Sequence, residues 1–196
     1  MEHRSAIIQR KTKETDISLT LNLDGIGNAD VSTGIGFLDH MLGSLTKHAN
    51  FDLDLICRGD LEVDDHHTAE DCAIALGQAF NNAIGNKKGI HRFGSAFAPL
   101  DEALARVVVD LSGRPFAHIE LQLEDGMIGN LKIENIRHVF ESFAMSARIT
   151  LHVDVLRGNN SHHKAEAAFK ALALALRTAV SVQPNSDAIP STKGVL

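Results

Sequence analysis

The pattern His-His-x-x-Glu occurs twice in this chain of 196 residues, in "DDHHTAED" (64–71) and in "NNSHHKAE" (159–166). The two copies start 96 residues apart. The second copy leads into "HHKAEAAFKALALALRTAV", a run rich in Ala and Leu, which are residues that favour helix. A long internal repeat of this kind predicts a duplicated fold with two similar halves, and two copies are too few for a solenoid.

Other residues recur at matched distances from the two patterns. His40 precedes the first histidine pair by 26 residues, and His138 precedes the second by 24. A glutamate precedes a glycine by 11 residues in each half, as Glu14 and Gly25 and as Glu102 and Gly113. We therefore expect one domain, 1–196, made of pseudo-repeats at about 5–90 and 94–182. The tail "PNSDAIPSTKGVL" (184–196) is turn-rich and is expected to be irregular.

Hydrophobic periodicity predicts the same order of elements in both halves. Alternation with a period of two predicts strands at 16–25, 51–59, 104–113, 116–123 and 149–158. Helical patterns fit about 37–48, 66–83, 133–147 and 162–180. Asp65 and Ser161 are predicted N-caps of the two long helices. The expected fold is therefore α+β, with strands, helix, strand and helix followed by the same series again.

The histidine pairs indicate metal binding. Residues i and i+4 of a helix point about 40° apart, so His66 shares a face with Glu70, as His162 does with Glu166. The second histidine of each pair projects to the side, where it can serve another ion. A single pair at a helix start is more often a surface or capping feature, but two copies with matching glutamates favour two metal ions. Imidazole and carboxylate ligands without thiolate suit Mn, Fe, Zn or Ni rather than a structural cysteine–zinc site.

Composition excludes several classes of protein. The formal net charge of −6 gives no bulk attraction to nucleic acid or to an anionic membrane. No apolar run approaches the roughly 18–20 residues of a membrane span, and the N-terminal stretch lacks the apolar core of a secretory signal. Cys57 and Cys72 do not form a disulfide framework, so a reducing, cytoplasmic location is expected.

Seven stretches of the chain resemble one known family. They are "GFLDHML" (36–42), "DDHHTAEDCAIALGQA" (64–79), "RFGSAFAPLDEAL" (92–104), "DLSGRP" (110–115), "HVFESFA" (138–144), "NNSHHKAEAAFKALALAL" (159–176) and "PSTKGVL" (190–196). Together they resemble the imidazoleglycerol-phosphate dehydratases over nearly the whole chain. The resemblance implies a duplicated fold similar to the second domain of ribosomal protein S5, in which each half has a four-stranded sheet with helices on one face.

The resemblance also implies an activity and its cofactors. The expected reaction is the dehydration of D-erythro-imidazole glycerol phosphate to imidazole acetol phosphate in L-histidine biosynthesis. Two divalent ions per active site, most simply Mn²⁺, and an assembly of 24 subunits with metal sites at the subunit interfaces are expected. The implied metal ligands are His40, His66, His67, Glu70, His138, His162, His163 and Glu166. The repeat alone leads to the same set.

Catalytic and substrate-binding residues also follow from the resemblance. The carbon-bound proton that is lost has no neighbouring carbonyl to acidify it, so a carboxylate must move protons. Glu14 is the first choice for this role and for contact with substrate, and Asp101 with Glu102 is the second. The resemblance assigns the substrate phosphate to five residues, since cationic side chains bind phosphate strongly. They are Arg92, Arg114, Lys170, Ser191 and Lys193.

Two other functions remain open from the sequence. A di-metal hydrolase would use similar ligands around a bound water, although such enzymes often carry bridging aspartates and no matched pair recurs here. A non-catalytic metal-storage shell would leave Glu14 and the cationic residues unexplained. The two halves could also complete each metal site within one subunit, but we expect ligands from neighbouring subunits.

Overall fold

A computed structural model of the protein describes residues 4–183 and 188–194. The first half contains β1 (Ser5–Lys11), β2 (Thr15–Asn22), β3 (Ala29–Ser32), α1 (Gly36–Ala49), β4 (Asp52–Gly59) and α2 (His66–Ile84). The second half contains β5 (Phe93–Leu100), β6 (Ala103–Asp110), β7 (Phe116–Glu120), the short β8 (Met127–Ile128) and β9 (Leu131–Lys132), α3 (Ile133–Ala147), β10 (Thr150–Arg157) and α4 (Ser161–Val180). All four predicted helices are confirmed to within a residue at each end.

The two halves have the same sheet topology, which confirms the predicted duplication. The first sheet has the strand order β1-β2-β4-β3, and the second has the order β5-β6-β10-β7. In both sheets the last strand is parallel to its neighbour and the other pairs are antiparallel. Strands β1, β3 and β5 were not among the strands predicted from periodicity, and β8 with β9 adds a small hairpin before α3.

Each half is a two-layer unit, and the helical layers of the two halves face one another. Helices α1 and α2 pack on the first sheet, and α3 and α4 pack on the second. Across the interface between the halves, α2 packs on α3 and α1 packs on α4. Alternation in β2, where every second side chain is buried, gives the sheet one core-facing side. The contact of Phe140 with Phe169, with ring centroids 4.6 Å apart, joins the halves into one core.

Within residues 4–183 and 188–194, the outer face of each sheet is left uncovered. Several large apolar side chains on these faces are at least 40% exposed, namely Ile7, Ile56, Phe93, Phe97, Val108 and Phe116. Among the helices of the described residues, none has both the length and the apolar character that crossing a bilayer requires.

Of the two predicted helix caps, Ser161 is wrong, and Asp65 is right in position but does not cap α2 with its side chain. Helix α4 begins at Ser161, and its cap is Asn160, whose Oδ1 accepts hydrogen bonds from His162 N–H (2.8 Å) and His163 N–H (3.2 Å). Asp65 occupies the N-cap position of α2, but its carboxylate instead accepts a hydrogen bond from Lys132 N–H at 2.6 Å. The side chain of Asp64 binds His66 N–H at 2.9 Å. Strand β9 of the other half therefore takes the capping group away from α2.

The C-terminal tail is irregular, as predicted, in residues 188–194, which contain only turns and bends. The remainder of the predicted tail, 184–187 and 195–196, lies outside the described residues. Gly89 N–H donates to the carbonyl of Ala188 at 3.0 Å, so the tail lies against the segment that joins the two halves.

Candidate metal centres

Six of the predicted metal ligands form two clusters, and each cluster takes residues from both halves. The Glu166 cluster consists of His40 from α1 with His162 and Glu166 from α4. Because α1 packs on α4, a histidine of the first half reaches the helix start of the second. In this cluster the Nε2 atoms of both histidines lie 3.2 Å from Glu166 Oε2.

The Glu70 cluster is the counterpart of the Glu166 cluster on the other side of the interface. It consists of His66 and Glu70 from α2 with His138 from α3. His66 Nε2 lies 3.7 Å from Glu70 Oε2, and His138 Nε2 lies 3.3 Å from Glu70 Oε1. The two imidazole rings stack with centroids 4.9 Å apart. In both clusters the three ligand atoms lie within 4.8 Å of one another.

The donor atoms of the Glu70 cluster fit a divalent cation. His138 Nε2 is buried and makes no hydrogen bond with any group in the described residues, because its contact with Glu70 has poor geometry. A buried polar atom without a partner is costly, and a cation bound to the ring nitrogen would remove that cost. Neutral imidazole and carboxylate are ligands for Mn, Fe, Zn and Ni. The residues therefore have the composition and spacing of metal ligands.

The surroundings of the two clusters differ in charge. Lys170 Nζ lies 2.7 Å from Glu166 Oε1. Burial alone would raise the pKa of Glu166, but the hydrogen bond and charge of Lys170, together with His40, lower it. Beside the Glu70 cluster, Glu141 Oε2 lies 4.0 Å from His138 Nδ1.

Two further residues, Arg137 and Asn135, lie next to the Glu70 cluster. Arg137 Nε donates to the other oxygen of Glu141 at 2.8 Å. His66 Nδ1 lies 2.9 Å from Asn135 Oδ1, which orients the ring. Asn135 and Glu141 were not identified from the sequence. They lie three residues on either side of His138, but the repeat gave no signal because Phe37 and Gly43 stand at the matching distances from His40.

The remaining predicted ligands, His67 and His163, lie outside both clusters, and each is held by a carboxylate. His67 Nδ1 lies 3.0 Å from Asp60 Oδ2, and its Nε2 lies 3.7 Å from Glu14 Oε1. The hydrogen bond with Asp60 raises the pKa of His67. Asp60 was also missed from the sequence. It follows the first Arg-Gly pair, but the residue after the second pair is asparagine.

His163 has a similar environment built from different residues. Its Nδ1 lies 2.7 Å from Glu102 Oε2, which raises the pKa of the imidazole, and its Nε2 lies 3.9 Å from Asp101 Oδ2. The other oxygen of Glu102 accepts hydrogen bonds from Asn160 N–H (2.9 Å) and Asn159 N–H (3.0 Å). Hydrogen bonds from Asn160, His163 and Asn159 lower the pKa of Glu102 to about 2.

The three candidate carboxylates for proton transfer are therefore not equivalent. Glu102 is committed to three donors and stays ionised at neutral pH. Glu14 is half-exposed, and within the described residues its carboxylate accepts no hydrogen bond. It lies on the Nε2 side of His67, the side on which a cation would bind. Asp101 is exposed on the corresponding side of His163.

The predicted phosphate-binding residues fall into two separate groups. Lys170 lies beside the Glu166 cluster. The others lie toward the other end of the second sheet or in the tail, namely Arg92, Arg114, Ser191 and Lys193. Arg92 makes a bidentate pair with Asp110 (2.7 and 3.1 Å), and its Nη1 donates to the carbonyl of Pro190 at 2.8 Å.

The other three residues of this group are less constrained. Arg114 and Lys193 are exposed, and no carboxylate pairs with either side chain in the portion of the chain that is described. Ser191 Oγ accepts a hydrogen bond from Lys193 N–H at 3.2 Å, which shapes the end of the tail. Arg92, through Pro190, therefore anchors the segment that carries Ser191 and Lys193.

Comparisons with known proteins lead to one family. A family model described as imidazoleglycerol-phosphate dehydratase matches residues 33–176. Proteins of that name from Phaffia rhodozyma and Cereibacter sphaeroides are each 55% identical over 98% of this chain, which spans 96% and 100% of their lengths. One from Phytophthora nicotianae is 61% identical over 98% of this chain, which spans 42% of that longer protein.

Two solved structures have the same fold. The crystal structure of imidazoleglycerol-phosphate dehydratase from Staphylococcus aureus gives a TM-score of 0.83 at 36% identity, covering 91% of this chain and 99% of that one. The Pyrococcus furiosus enzyme, crystallised with a bound compound, gives a TM-score of 0.83 at 35% identity, covering 96% of this chain and 100% of that one.

Proposed function

Because the chain belongs to the imidazoleglycerol-phosphate dehydratase family, we propose that it dehydrates D-erythro-imidazole glycerol phosphate with divalent cations held at its two histidine clusters. The family relationship makes the protein a hydro-lyase of histidine biosynthesis. The product is imidazole acetol phosphate. The observation that carries the metal-dependent part is the pair of His-His-Glu clusters, each with ligand atoms within 4.8 Å.

The clusters would bring metal chemistry to an unreactive substrate. A divalent cation bound there, for which we propose Mn²⁺, supplies Lewis-acid stabilisation of negative charge on the substrate imidazole. The six clustered residues would be its ligands, together with His67 and His163. These two histidines lie outside the clusters of their own chain. Their Nδ1 atoms face Asp60 and Glu102, so Nε2 of each is available to a cluster of a neighbouring subunit.

Proton transfer falls to Glu14 in this proposal. Its carboxylate is free to take up a proton, since it accepts no hydrogen bond in the described residues, and it lies 3.7 Å from His67 Nε2. Glu102 lacks that freedom because its carboxylate accepts three hydrogen bonds, which stabilise the ionised form and lower its pKa to about 2. Asp101 stays as the second candidate.

The distance between the clusters and the phosphate group of residues supports an active site shared between subunits. Arg92 N–H donates to the carbonyl of Ala179 at 2.9 Å, near the end of α4. Glu166 lies 13 residues earlier on the same helix, about 20 Å away at 1.5 Å per residue. The substrate joins its ring to its phosphorus through three carbons and one oxygen, and these five bonds span at most about 7.5 Å at ~1.5 Å per bond.

One substrate molecule therefore cannot reach both groups within one chain. We propose that Arg92, Arg114, Ser191 and Lys193 bind the phosphate of a substrate whose ring lies at the clusters of another subunit. An assembly of 24 subunits would provide such contacts. The apolar side chains exposed on the outer faces of both sheets support association, because large uncovered apolar patches are uncommon on monomers. Two buried free cysteines fit a reducing, cytoplasmic location.

A turnover assay tests the proposal. Purified protein is stripped of metal with a chelator, dialysed and assayed on imidazole glycerol phosphate with and without added Mn²⁺. We expect no product without metal and recovery with Mn²⁺. Full activity in a demonstrably metal-free preparation would contradict metal dependence. Hydrolysis of simple esters or amides in place of dehydration would favour a di-metal hydrolase, and stoichiometric metal binding without turnover would favour a storage protein.

A further inference from the structure

The carboxylates beside His67 and His163 carry an inference that rests on the proposed function. We propose that Asp60 and Glu102 are positioning residues that hold these imidazoles with Nδ1 protonated and Nε2 free to bind a cation. A neutral imidazole carries its proton on one ring nitrogen only. The group that accepts this proton therefore decides whether the other nitrogen has a free lone pair for a metal.

Glu102 meets this requirement in the second half. Its Oε2 lies 2.7 Å from His163 Nδ1, and its Oε1 is occupied by the N–H groups of Asn159 and Asn160. An ionised carboxylate can only accept hydrogen bonds, so Nδ1 of His163 must be the donor. The carboxylate cannot turn away, because two backbone donors at the start of α4 hold it from the other side.

Asp60 meets the same requirement in the first half, but its carboxylate is held by fewer hydrogen bonds than that of Glu102. Its two oxygens lie 3.0 and 3.3 Å from His67 Nδ1, and its side chain has no other hydrogen-bond partner among the described residues. Its own N–H donates to the backbone carbonyl of Glu14 at 3.0 Å. His67 Nε2 is left on the opposite side of the ring.

The two halves reach the same contact from different sequence positions. Asp60 follows the first Arg-Gly pair, and the residue at the corresponding place in the second half is Asn159. The Asn159 N–H goes to the side chain of Glu102, whereas Asp60 N–H goes to the backbone of Glu14, the repeat mate of Glu102. Since diverged halves keep the contact while changing the residue that makes it, the contact itself is what the site requires.

Glu102→Gln is the decisive variant. A glutamine that keeps its carbonyl oxygen on the N–H groups of Asn159 and Asn160 must turn its NH₂ toward His163 Nδ1. The ring then accepts at Nδ1 and carries its proton on Nε2, where it can no longer bind a cation. We expect Mn²⁺ binding at one of the two sites per chain to weaken by at least about tenfold, as is usual when a ligand loses its orienting partner.

Asp60→Asn is the matched variant with the opposite expectation. Because the second oxygen of Asp60 has no other donor, the asparagine can turn its carbonyl oxygen to His67 Nδ1 and keep the proton there. Mn²⁺ binding should stay close to that of the parent protein. Glu62→Gln is a control for the loss of one negative charge from the same loop, since Glu62 is exposed and makes no hydrogen bond or ion pair within the described portion.

Glu102→Ala separates positioning from simple support of the loop before α4. If Glu102 only tied this loop down, the glutamine variant would keep both backbone hydrogen bonds and bind Mn²⁺ like the parent, while the alanine variant would bind poorly. If Glu102 fixes the proton on Nδ1, the glutamine variant should bind Mn²⁺ no better than the alanine variant. In the alanine variant the proton of the imidazole can lie on either nitrogen.

The measurements are free Mn²⁺ by electron paramagnetic resonance during titration and ¹⁵N NMR of the imidazole nitrogens in metal-stripped protein. The proposal requires the His163 proton to move from Nδ1 to Nε2 in Glu102→Gln. Parent-like Mn²⁺ binding in that variant, or an equal loss in Asp60→Asn, would overturn it. If the parent protein itself bound no Mn²⁺ and gave no dehydration, the proposed function would fail instead.

Discussion

The Glu166 cluster and the Glu70 cluster hold the same three ligand types in different surroundings. At each of three matched positions around the ligands, the two halves carry residues of different chemistry. The pairs, with the Glu166 cluster first, are Phe37 and Asn135, Gly43 and Glu141, and Lys170 and Ile74. Duplication has thus preserved the groups that would bind a cation and has let the groups that set the local charge diverge.

The difference in charge predicts unequal affinities. Lys170 pairs with Glu166 at 2.7 Å and would repel an incoming cation. The Glu70 cluster has no such lysine, and Glu141 adds a second carboxylate, although Arg137 partly neutralises it. We therefore expect the Glu70 cluster to hold its cation more tightly than the Glu166 cluster.

Complete removal of metal should give the largest effect. As chelator is added, we expect the more weakly held half of the metal to leave first and activity to be lost with it. Loss of the remainder should yield smaller particles, because a cation that bridges chains links metal occupancy to association. Metal content, light scattering and turnover are followed together. Release of all metal in a single step would contradict a difference in affinity between the two clusters. A full-sized particle without metal would refute the bridging of chains by cations.

Glu14→Gln should give the next largest effect. The glutamine is nearly isosteric but cannot accept a proton, so we expect kcat to fall by about 10²–10⁴-fold, the usual contribution of general acid–base catalysis. Metal content should stay that of the parent. This outcome contrasts with that expected for its repeat mate, since Glu102→Gln should change metal binding first. Parent-like turnover in Glu14→Gln would move the proton-transfer role to Asp101.

Arg114→Ala should raise KM for the phosphorylated substrate by about 10–100-fold, the equivalent of roughly 1.5–3 kcal/mol for a charged hydrogen bond. Lys193→Ala should act similarly. Ile26 stands at the position of Arg114 in the first half and is exposed, so Ile26→Ala is the matched control and should leave KM unchanged.

Arg92→Ala should raise KM as well and, unlike the other two variants, should also lower the melting temperature. The reason is that Arg92 pairs with Asp110 and holds Pro190. Unchanged KM in all three variants would contradict the phosphate assignment.

Lys170→Met should have the smallest effect of these variants. It should make the Glu166 cluster bind Mn²⁺ more tightly. Removing a partly exposed cation from Glu166 is worth up to ~1 kcal/mol, or about threefold to fivefold in Mn²⁺ affinity at that cluster. Ile74→Lys places the missing cation beside Glu70 and should weaken the other cluster by a similar factor. Calorimetric Mn²⁺ titration of both variants checks the pair, and a shift of both variants in the same direction would show that local charge does not distinguish the clusters.

The helices were predictable from sequence because their periodic patterns are long and, in α2 and α4, rich in Ala. Strand β5 was missed for the opposite reason. Its sequence "FGSAFAPL" contains Gly, Ser and Pro, which weaken the strand signal. The structure tolerates the proline because β5 lies at the edge of its sheet, where one side of the strand needs no hydrogen bonds. Sequence periodicity reports burial along one element, and an edge strand with a proline carries little of that signal.

The grouping of ligands could not be predicted from spacing. The pairing of His66 with Glu70 follows from helix geometry. The pairing of His40 with Glu166, which are 126 residues apart in sequence, depends on the packing of α1 against α4.

The matched spacing of Glu14 and Glu102 did not predict that they contact their histidines differently. The turn after β1 has three residues, 12–14, whereas the turn after β5 has two, 101–102, so the repeat mates face different nitrogens of their histidines.

The crossed composition of the two clusters has a consequence for the origin of the fold. A chain of half this length would carry one histidine on its first helix and one His-His-x-x-Glu pattern on its second, and alone it would form neither cluster. Two such chains related by a twofold axis would form both clusters at once, each with a histidine from one copy and a histidine and glutamate from the other. The present chain therefore has the geometry of an ancestral isologous homodimer whose symmetry axis became internal when the two copies were fused.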